Sequence, residues 1–103
     1  MQGLRDKVAI VTGGATLIGQ AVVRAFAAAG SKVMIADINA EDGARLAKEL
    51  APAVAFRRTD ITNDPEISAL VNSTVADFGG IDFLVNVACS YVDDALNATR
   101  EDW

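Results

Sequence analysis

Short runs of consecutive apolar residues alternate along the chain with segments in which apolar residues recur every three or four positions. These runs lie within residues 8–11, 32–37, 53–58 and 81–85, and the last three ranges also include charged residues. Consecutive apolar positions are typical of a strand covered on both faces, whereas a recurrence of three to four is typical of a helix. The pattern therefore predicts four strands with a helix between each successive pair.

Residues that favour helix ends delimit the first two predicted helices. The first spans residues 17–29, with Gly30 placed to end it, and its predicted buried stripe consists of Ile18, Val22, Ala25, Phe26 and Ala29. The second begins at Asn39, which favours the N-cap, and runs through Leu50 before Pro52 breaks it. Leu46, Ala47 and Leu50 mark the predicted buried stripe of this second helix.

The third predicted helix begins at Asp64, an N-cap followed by Pro65 at the first helical position, and it ends at Gly79. Its predicted buried face consists of Ile67, Leu70, Val71, Thr74, Val75 and Phe78. Residues 99–102 have the pattern of an opening helical turn. Three helices and four strands in alternation thus account for most of the chain.

Strands that alternate with helices form a parallel sheet with right-handed crossovers. We expect a Rossmann-type, three-layer α/β/α fold with strand order 3-2-1-4, part of a doubly wound sheet. The crevice between strands 1 and 4 is then the topological switch point, where open α/β sheets bind ligands. Thr12, Gly13 and Asn86 are expected there, at the carboxyl ends of the two strands.

Composition and charge narrow the range of partners. The 103 residues are 51% hydrophobic and 6% aromatic, and the net charge is −5. No cluster of Lys or Arg provides an electrostatic footprint for nucleic acid or for an anionic membrane, so both partners are disfavoured. The polar N-terminus has no signal-peptide pattern, and no apolar run is long enough to span a bilayer. We therefore expect a soluble, cytoplasmic protein.

Histidine is absent from the sequence, and Cys89 is the single cysteine. The chain therefore cannot form an internal disulfide, and it lacks the ligand patterns of a zinc site and the histidine of a His-based triad. We expect no metal site. With no histidine to activate its thiol, Cys89 is interpreted as an inert loop residue.

A glycine-bearing turn between the first strand and the first helix carries the main functional signal. Residues 12–19 read Thr-Gly-Gly-Ala-Thr-Leu-Ile-Gly, and Asp37 closes the second strand. In a dinucleotide-binding βαβ unit, such glycines allow close backbone approach to a pyrophosphate, and the acidic residue binds a ribose diol. Two alternatives remain open: glycine turns also occur without a ligand, and Asp37 could be a solvated carboxylate that caps the next helix.

The acidic residue also indicates which dinucleotide is bound. Asp37 would repel the 2′-phosphate of NADP, and the nearby positions Thr16, Ile38 and Asn39 supply no Arg or Lys to offset that charge. The sequence therefore predicts NAD as the cofactor, with NADP disfavoured.

Three motifs follow one another along the chain: residues 12–19, Asp60-Ile61 after strand 3, and residues 84–89 at the end of strand 4. In order and spacing they resemble the short-chain dehydrogenase/reductase family in its classical type, over essentially the whole chain. Residues 12–19 resemble the family's Thr-Gly-x-x-x-Gly-x-Gly, and Asp60-Ile61 resembles its Asp-Val or Asp-Ile after strand 3. Residues 84–89, Leu-Val-Asn-Val-Ala-Cys, resemble its Leu-Val-Asn-Asn-Ala-Gly. The resemblance implies an NAD-dependent oxidoreductase that acts on alcohols or ketones.

The resemblance also implies roles for individual residues. Gly13, Ile18 and Gly19 would line the pyrophosphate and nicotinamide side. Asp37 would bind the adenosine ribose, Asp60 and Ile61 the adenine, and Asn86 and Ala88 the central strand and ribose region. Further cofactor-binding residues are expected at Thr16, Leu17 and Ile38. Local roles remain open for two of these residues: Asp60 could cap the amides near Thr62, and Asn86 could tie strand 4 to its neighbours.

The chain departs from the family pattern at three positions. Leu17 stands where the family has its middle glycine, Val87 replaces an asparagine, and Cys89 replaces a glycine. Each change adds bulk or removes a polar group where the cofactor is expected. Ser90-Tyr91 does not match the family's catalytic pair, because position 95 is Ala and no lysine follows Lys48. No catalytic residue is assigned within this chain.

The family's catalytic Ser, Tyr and Lys lie beyond the end of this chain. The resemblance therefore implies that residues 1–103 are the N-terminal half of a single NAD(P)-binding domain, inactive alone, from a parent that is a homo-oligomer. The alternative is a non-catalytic nucleotide-binding or interaction module. It would self-associate through strand 4, whose apolar edge has no predicted neighbour.

Overall fold

A computed structural model describes residues 2–87 and confirms the predicted parallel sheet, with strand order β3-β2-β1-β4. A short 3₁₀ helix, Gln2–Leu4, precedes the first strand. The strands are β1 Val8–Thr12, β2 Lys32–Asp37, β3 Val54–Arg58 and β4 Phe83–Asn86. The helices are α1 Leu17–Ala28, α2 Ala40–Glu49 and α3 Asp64–Phe78.

The helices cover the two faces of the sheet unequally. On one face, α1 and α2 pack over a core that consists of Val11, Val23, Val33, Ile35, Leu46, Ala47, Val54 and Val87. On the other face, α3 packs over a smaller core of Ile10, Met34, Ala36 and Leu70. All five residues of β1 are buried, as expected for a central strand covered on both faces.

The buried side of α1 differs from the predicted stripe. Val23 is fully buried, whereas Ile18 is 59% exposed and Ala25 is also exposed. The reason is the contact at Gly19, where the helix backbone approaches the preceding turn so closely that no side chain fits. Val23 lies one helical turn after Gly19 and therefore faces the sheet. The predicted stripe was wrong at Ile18 and Ala25, whereas Val22 and Phe26 are half-buried and pack against the core as predicted.

The start of α3 lies one residue earlier than predicted. Asn63, not Asp64, is the N-cap, because its side-chain oxygen accepts a hydrogen bond from the Glu66 amide at 3.1 Å. The predicted end is confirmed: Gly79 adopts a left-handed φ of 87° and its N–H bonds to the Val75 carbonyl. Of the six residues predicted to be buried on this helix, only Leu70 and Thr74 are buried in the described part of the chain.

Strand β4 spans residues 83–86, shifted from the predicted 81–85. Before it, Asp82 exchanges two hydrogen bonds with Val8, one through its carboxylate and one through its amide, both at 2.8 Å. Regular pairing then runs from Ala9↔Phe83 to Thr12↔Asn86, which places Asn86 within the strand. The other element ends agree with the predictions to within one residue, β2 matches at both ends, and the predicted cap of α2 at Asn39 is confirmed.

The predictions made for residues 88–103 lie outside the described residues. They concern Ala88, Cys89, Ser90-Tyr91 and the opening helical turn at 99–102. Val87, the last described residue, continues from β4, and its amide donates to the Thr12 carbonyl at 2.9 Å.

Candidate cofactor-binding site

A cleft of about 320 Å³ opens at the carboxyl ends of β1, β2 and β3. Its lining consists of Gly13, Ala36, Asp37, Ile38, Asn39, Thr59 and Ile61. Ligands of open α/β sheets bind outside the carboxyl ends of the strands, so this cleft is the candidate site. It extends over β2 towards β3, and Asn86 on β4 is not part of its lining.

The turn after β1 is held by contacts between backbone atoms. Gly13 has a φ of 73°, and a methyl group on it would overlap the carbonyl oxygen of Val87. Its N–H donates to the Ala36 carbonyl at 2.8 Å, which joins the turn to β2. A methyl group on Gly19 would likewise overlap the Gly13 carbonyl oxygen. Only glycine can therefore occupy positions 13 and 19 without a backbone shift.

The N-terminus of α1 leaves two backbone donors available. Thr16 is the N-cap: its hydroxyl accepts from the Gly19 amide at 3.1 Å and donates to the Gly13 carbonyl at 2.7 Å. Within residues 2–87 the amides of Leu17 and Ile18 donate no hydrogen bond. Unpaired amides and the positive end of the helix dipole together favour an anion such as a phosphate.

Leu17 does not strain the turn, although it stands at the family's middle glycine. In the described part of the chain, Asp6 is the single non-glycine residue with a positive φ, so Leu17 has a backbone conformation that any residue adopts. Its side chain is 88% exposed and points away from the core. The bulk added at this position therefore lies at the surface, beside the free amides.

The Asp37 carboxylate joins two loops at the cleft. One oxygen accepts from the Ala15 amide at 3.0 Å, and the other accepts from the Asn39 amide at 2.9 Å. The bond to Asn39, the N-cap residue of α2, agrees in part with the interpretation of Asp37 as a helix-capping residue. The bond to Ala15 also holds the glycine turn in place. Each carboxylate oxygen has two lone pairs, so both can still accept a further hydrogen bond from a ligand.

Asp60 makes local contacts rather than lining the cleft. One carboxylate oxygen accepts from both the hydroxyl and the amide of Thr62, at 2.6 and 2.9 Å. These two bonds, with a smaller contribution from the charge of Arg58, hold the pKa of the Asp60 carboxyl below its ordinary value. The neighbouring Ile61 does line the cleft. The structure therefore contains the local contact considered for Asp60, in which its carboxylate caps the amide of Thr62.

Asn86 and Val87 have structural contacts next to the site. The Thr12 hydroxyl donates to the Asn86 side-chain oxygen at 2.6 Å, which ties β4 to β1. Val87 is 8% exposed and packs into the core beneath α1 and α2. The apolar side chain at position 87 therefore fills the core where the family pattern has an asparagine.

The family model for short chain dehydrogenases matches residues 7–103. The chain belongs to the short chain dehydrogenase family. It is 39% identical over 99 residues to galactitol 2-dehydrogenase of Agrobacterium fabrum, covering 96% of this chain and 39% of that protein. It is 44% identical over 85 residues to (+)-borneol dehydrogenase 1 of Salvia officinalis, covering 82% of this chain and 33% of that protein.

A solved structure of a relative supports the same fold. The 3-ketoacyl-(acyl-carrier-protein) reductase of Brucella melitensis, complexed with NADH, superimposes with a TM-score of 0.77 at 32% identity. The superposition covers 79% of this chain and 34% of the reductase. This short chain dehydrogenase chain thus spans about two fifths or less of the length of the relatives it matches.

The predicted site residues of this short chain dehydrogenase chain fall into three groups. Gly13, Asp37, Ile38 and Ile61 line the cleft. Thr16, Leu17, Ile18 and Gly19 form the adjoining turn, while Asp60 and Asn86 make the local bonds described above. Ala88 lies outside the described residues. The structure therefore assembles four predicted residues in one cleft and places the turn beside it.

Sequence reasoning did not assign Ala36, Asn39 and Thr59 to the site, although all three line the cleft. Thr59 follows β3 directly, and its amide donates to the Asp37 carbonyl at 3.0 Å. The signal that would have found it is its place at the carboxyl end of a strand. Gly14 was also missed, and a methyl group on it would lie 2.8 Å from a methyl carbon of Ile35.

Two further features of the described residues bear on the class of site. None of the helices within residues 2–87 is long and apolar enough to cross a membrane. The same residues contain no group of three or more His, Cys, Asp or Glu side chains placed to hold a metal ion. The polar side chains that line the cleft are the carboxylate of Asp37, the carboxamide of Asn39 and the hydroxyl of Thr59.

Proposed function

We propose that this chain forms the NAD-binding portion of an oxidoreductase that transfers hydride between an alcohol or ketone and a nicotinamide. The observation that carries the proposal is the position of the Asp37 carboxylate, in a cleft that adjoins the free amides of Leu17 and Ile18. Relatives named as dehydrogenases and a related reductase complexed with NADH support it.

The residues present fit a dinucleotide. Side chains are excluded at Gly13 and Gly19, which keeps the turn compact, and the N-terminus of α1 offers its amides to a pyrophosphate. Asp37 has acceptor capacity left for ribose hydroxyls, while Ile38 and Ile61 offer apolar surface to an adenine ring. When bound, the nicotinamide supplies the hydride acceptor or donor, and the protein supplies position and electrostatics.

We favour NAD over NADP because the Asp37 carboxylate lines the cleft. A 2′-phosphate in that place would bring two negative groups together, whereas a ribose diol would donate hydrogen bonds to the carboxylate. Asp37 also holds the Ala15 amide, so the residue that selects the ribose positions the turn as well.

The remaining chemistry requires an acid–base residue that protonates or deprotonates the substrate oxygen. We propose that this residue, and the pocket that selects the alcohol or ketone, belong to the part of the relatives that this chain does not span. On this proposal, residues 1–103 are the N-terminal half of one dinucleotide-binding domain and do not catalyse turnover alone.

Fluorescence titration with NADH tests the proposal. Asp37→Asn is expected to weaken NADH binding at least about tenfold, because a hydrogen bond to a charged group contributes roughly 1.5–3 kcal/mol. Asp77→Asn is the matched control: it removes the same charge from an exposed position at the opposite, amino-terminal edge of the sheet. No binding of NADH, or equal binding by both variants, would overturn the proposal.

The alternative of a self-associating interaction module has one observation in its favour. Leu84 on β4 is 62% exposed, and Ile81 and Phe83 are each 37% exposed. Apolar side chains on a strand at the edge of a sheet favour pairing with another chain. Light scattering distinguishes the two functions, because this alternative requires a dimer that Leu84→Glu dissociates, whether or not NADH binds.

A further inference from the structure

Gln20, at the end of the first turn of α1, binds two consecutive carbonyl groups of the turn after β1. Its side-chain nitrogen Nε2 donates to the Ala15 carbonyl at 2.9 Å. Its backbone amide donates to the Thr16 carbonyl at 2.8 Å. One residue therefore holds both of the peptide groups that lead from the glycine turn into the helix.

The side-chain bond of Gln20 satisfies a carbonyl group that the helix itself does not. In an α-helix the carbonyl of Ala15 would accept from the Gly19 amide, but that amide donates to the Thr16 hydroxyl instead, at 3.1 Å. Within residues 2–87 the Ala15 carbonyl accepts a hydrogen bond from the Gln20 side chain alone. Ala15 is 5% exposed, and a buried carbonyl without a partner is costly, so Gln20 stabilises this orientation of the peptide.

The two peptide groups held by Gln20 set the direction of the amides at the start of α1. The Thr16 carbonyl and the Leu17 amide belong to one planar peptide group, whose C=O and N–H point in opposite directions. A carbonyl held towards the body of the helix therefore directs the Leu17 amide beyond the N-terminus of α1. In the preceding peptide group, the Thr16 amide donates to the Gly13 carbonyl at 3.1 Å, opposite the bond from Gln20 to Ala15.

Ala15 connects Gln20 to the cleft. Its amide donates to the Asp37 carboxylate at 3.0 Å, while its carbonyl accepts from Gln20. Without the bond from Gln20, the peptide group between Ala15 and Thr16 could rotate. Its carbonyl oxygen would then approach the amides of Leu17 and Ile18, where it would compete for these donors and repel a phosphate.

We propose that Gln20 is a positioning residue for the pyrophosphate: it fixes the peptide groups at the N-terminus of α1 without contacting the cofactor itself. The inference rests on the proposed function, because it requires that a dinucleotide binds at the Leu17 and Ile18 amides. A carboxamide suits this role, since it donates a hydrogen bond and adds no charge next to the phosphates. Methionine has a similar length but no donor, so Gln20→Met removes the side-chain bond alone.

Titrations with NADH and with adenosine test the role of Gln20, the first by fluorescence and the second by ligand-observed NMR. Gln20→Met is expected to weaken NADH binding about fivefold, the equivalent of one neutral hydrogen bond. Adenosine has no pyrophosphate, so its binding is expected to stay within about twofold. Asn72→Leu is the matched control, because it removes a carboxamide from an exposed position on α3, and it is expected to leave both ligands within about twofold.

The outcomes separate this inference from the proposed function. If the unmodified chain does not bind NADH, the proposed function fails and the role of Gln20 fails with it. If the unmodified chain binds NADH and Gln20→Met binds it equally well, the cofactor site stands and the inference is overturned. Equal losses of NADH and adenosine binding in Gln20→Met would also overturn it, since a general loss of structure would explain both.

A second variant keeps the test decisive if urea denaturation shows that Gln20→Met does not fold. Gln20→Lys retains a hydrogen-bond donor on a side chain of similar reach, and it is expected to bind NADH at least as tightly as the unmodified chain to within about twofold. A fivefold loss of NADH binding in Gln20→Lys would overturn the inference, because a donor at position 20 would then not be what the turn requires.

Discussion

The two faces of the sheet differ in how completely they are covered. Beneath α1 and α2, Val11, Val23 and Ile35 are fully buried. Beside α3, Val71 is 39% exposed and Leu84 is 62% exposed, along a groove of about 380 Å³ between the helix and β4. The face that carries the glycine turn is therefore closed by residues 2–87, whereas the other face is covered only in part by them.

The difference has a physical origin in how the helices approach the sheet. On the closed face, Gly19 lets the α1 backbone approach the turn after β1 closely, and Gly14 of that turn lies against the Ile35 side chain of β2. On the other face, α3 covers one stripe of the sheet and leaves its other apolar side chains exposed. The candidate cofactor cleft thus adjoins the more completely buried face of the described structure.

The largest expected effect comes from breaking the closest backbone contact on the closed face. Gly19→Ala is expected to lower the free energy of unfolding by about 3 kcal/mol, because the new methyl group would overlap the Gly13 carbonyl oxygen. Gly80→Ala is the control, since a methyl group there has no heavy atom within 4 Å. Urea denaturation measures the free energy of unfolding of both variants. Equal midpoints would contradict the claim that the backbone is closely packed at Gly19.

A smaller effect is expected from removing matched side chains on the two faces. Val23→Ala is expected to cost about 2 kcal/mol, since it empties a fully buried site, and Val71→Ala less than about 0.5 kcal/mol. Denaturant midpoints test both values. A cost for Val71→Ala as large as that for Val23→Ala would mean that the groove beside α3 is covered in solution.

The sequence predicted burial more accurately on the face beneath α1 and α2 than on the face beside α3. The run Val8 to Val11 predicted a strand buried on both faces, and all five residues of β1 are buried. The alternation of strands and helices predicted the strand order. The apolar stripe of α3 predicted burial of Ile67, Val71 and Val75, all of which are more than one third exposed. Periodicity shows which side of a helix is apolar but does not show what covers that side.

At the candidate site, the sequence predicted several residues that line the cleft but did not predict which other residues they contact. Gly13, Asp37, Ile38 and Ile61 were assigned from motif spacing, and all four line the cleft. The bond from the Ala15 amide to Asp37 and the register of Arg58 beside it depend on strand pairing. Strand pairing is set by the tertiary fold, so spacing along the chain could not reveal these neighbours.

A further test weakens only the helix of the open face. Asn63→Ala is expected to cost about 1 kcal/mol, because it removes the hydrogen bond that caps the Glu66 amide. Asp64→Ala removes only a charge from the first turn and is expected to cost about half as much. Amide hydrogen exchange is expected to accelerate in α3 before α1. A larger cost for Asp64→Ala would restore Asp64 as the cap.

The smallest expected effect concerns the loop that leads into α3. Thr62→Ala removes the hydroxyl bond that contributes most to the lowered pKa of Asp60, so this pKa is expected to rise towards its ordinary value. A lowered pKa in the folded state contributes stability above the unfolded pKa of about 3.9, and that stability is lost as the pH falls through the folded value.

In the variant, the stability should therefore fall less between neutral pH and acid than in the unmodified protein. NMR titration of the Asp60 carboxyl measures the pKa, and urea midpoints at pH values on both sides of about 3.9 measure the linked stability. Ser68→Ala is the control, because this exposed hydroxyl on α3 has no hydrogen bond within residues 2–87. An unchanged Asp60 pKa in Thr62→Ala would show that the local bond does not fix this carboxylate. Asp60 would then be free to turn into the cleft. The loop between β3 and α3 would differ in this from the turn after β1, which Asp37 holds through the Ala15 amide.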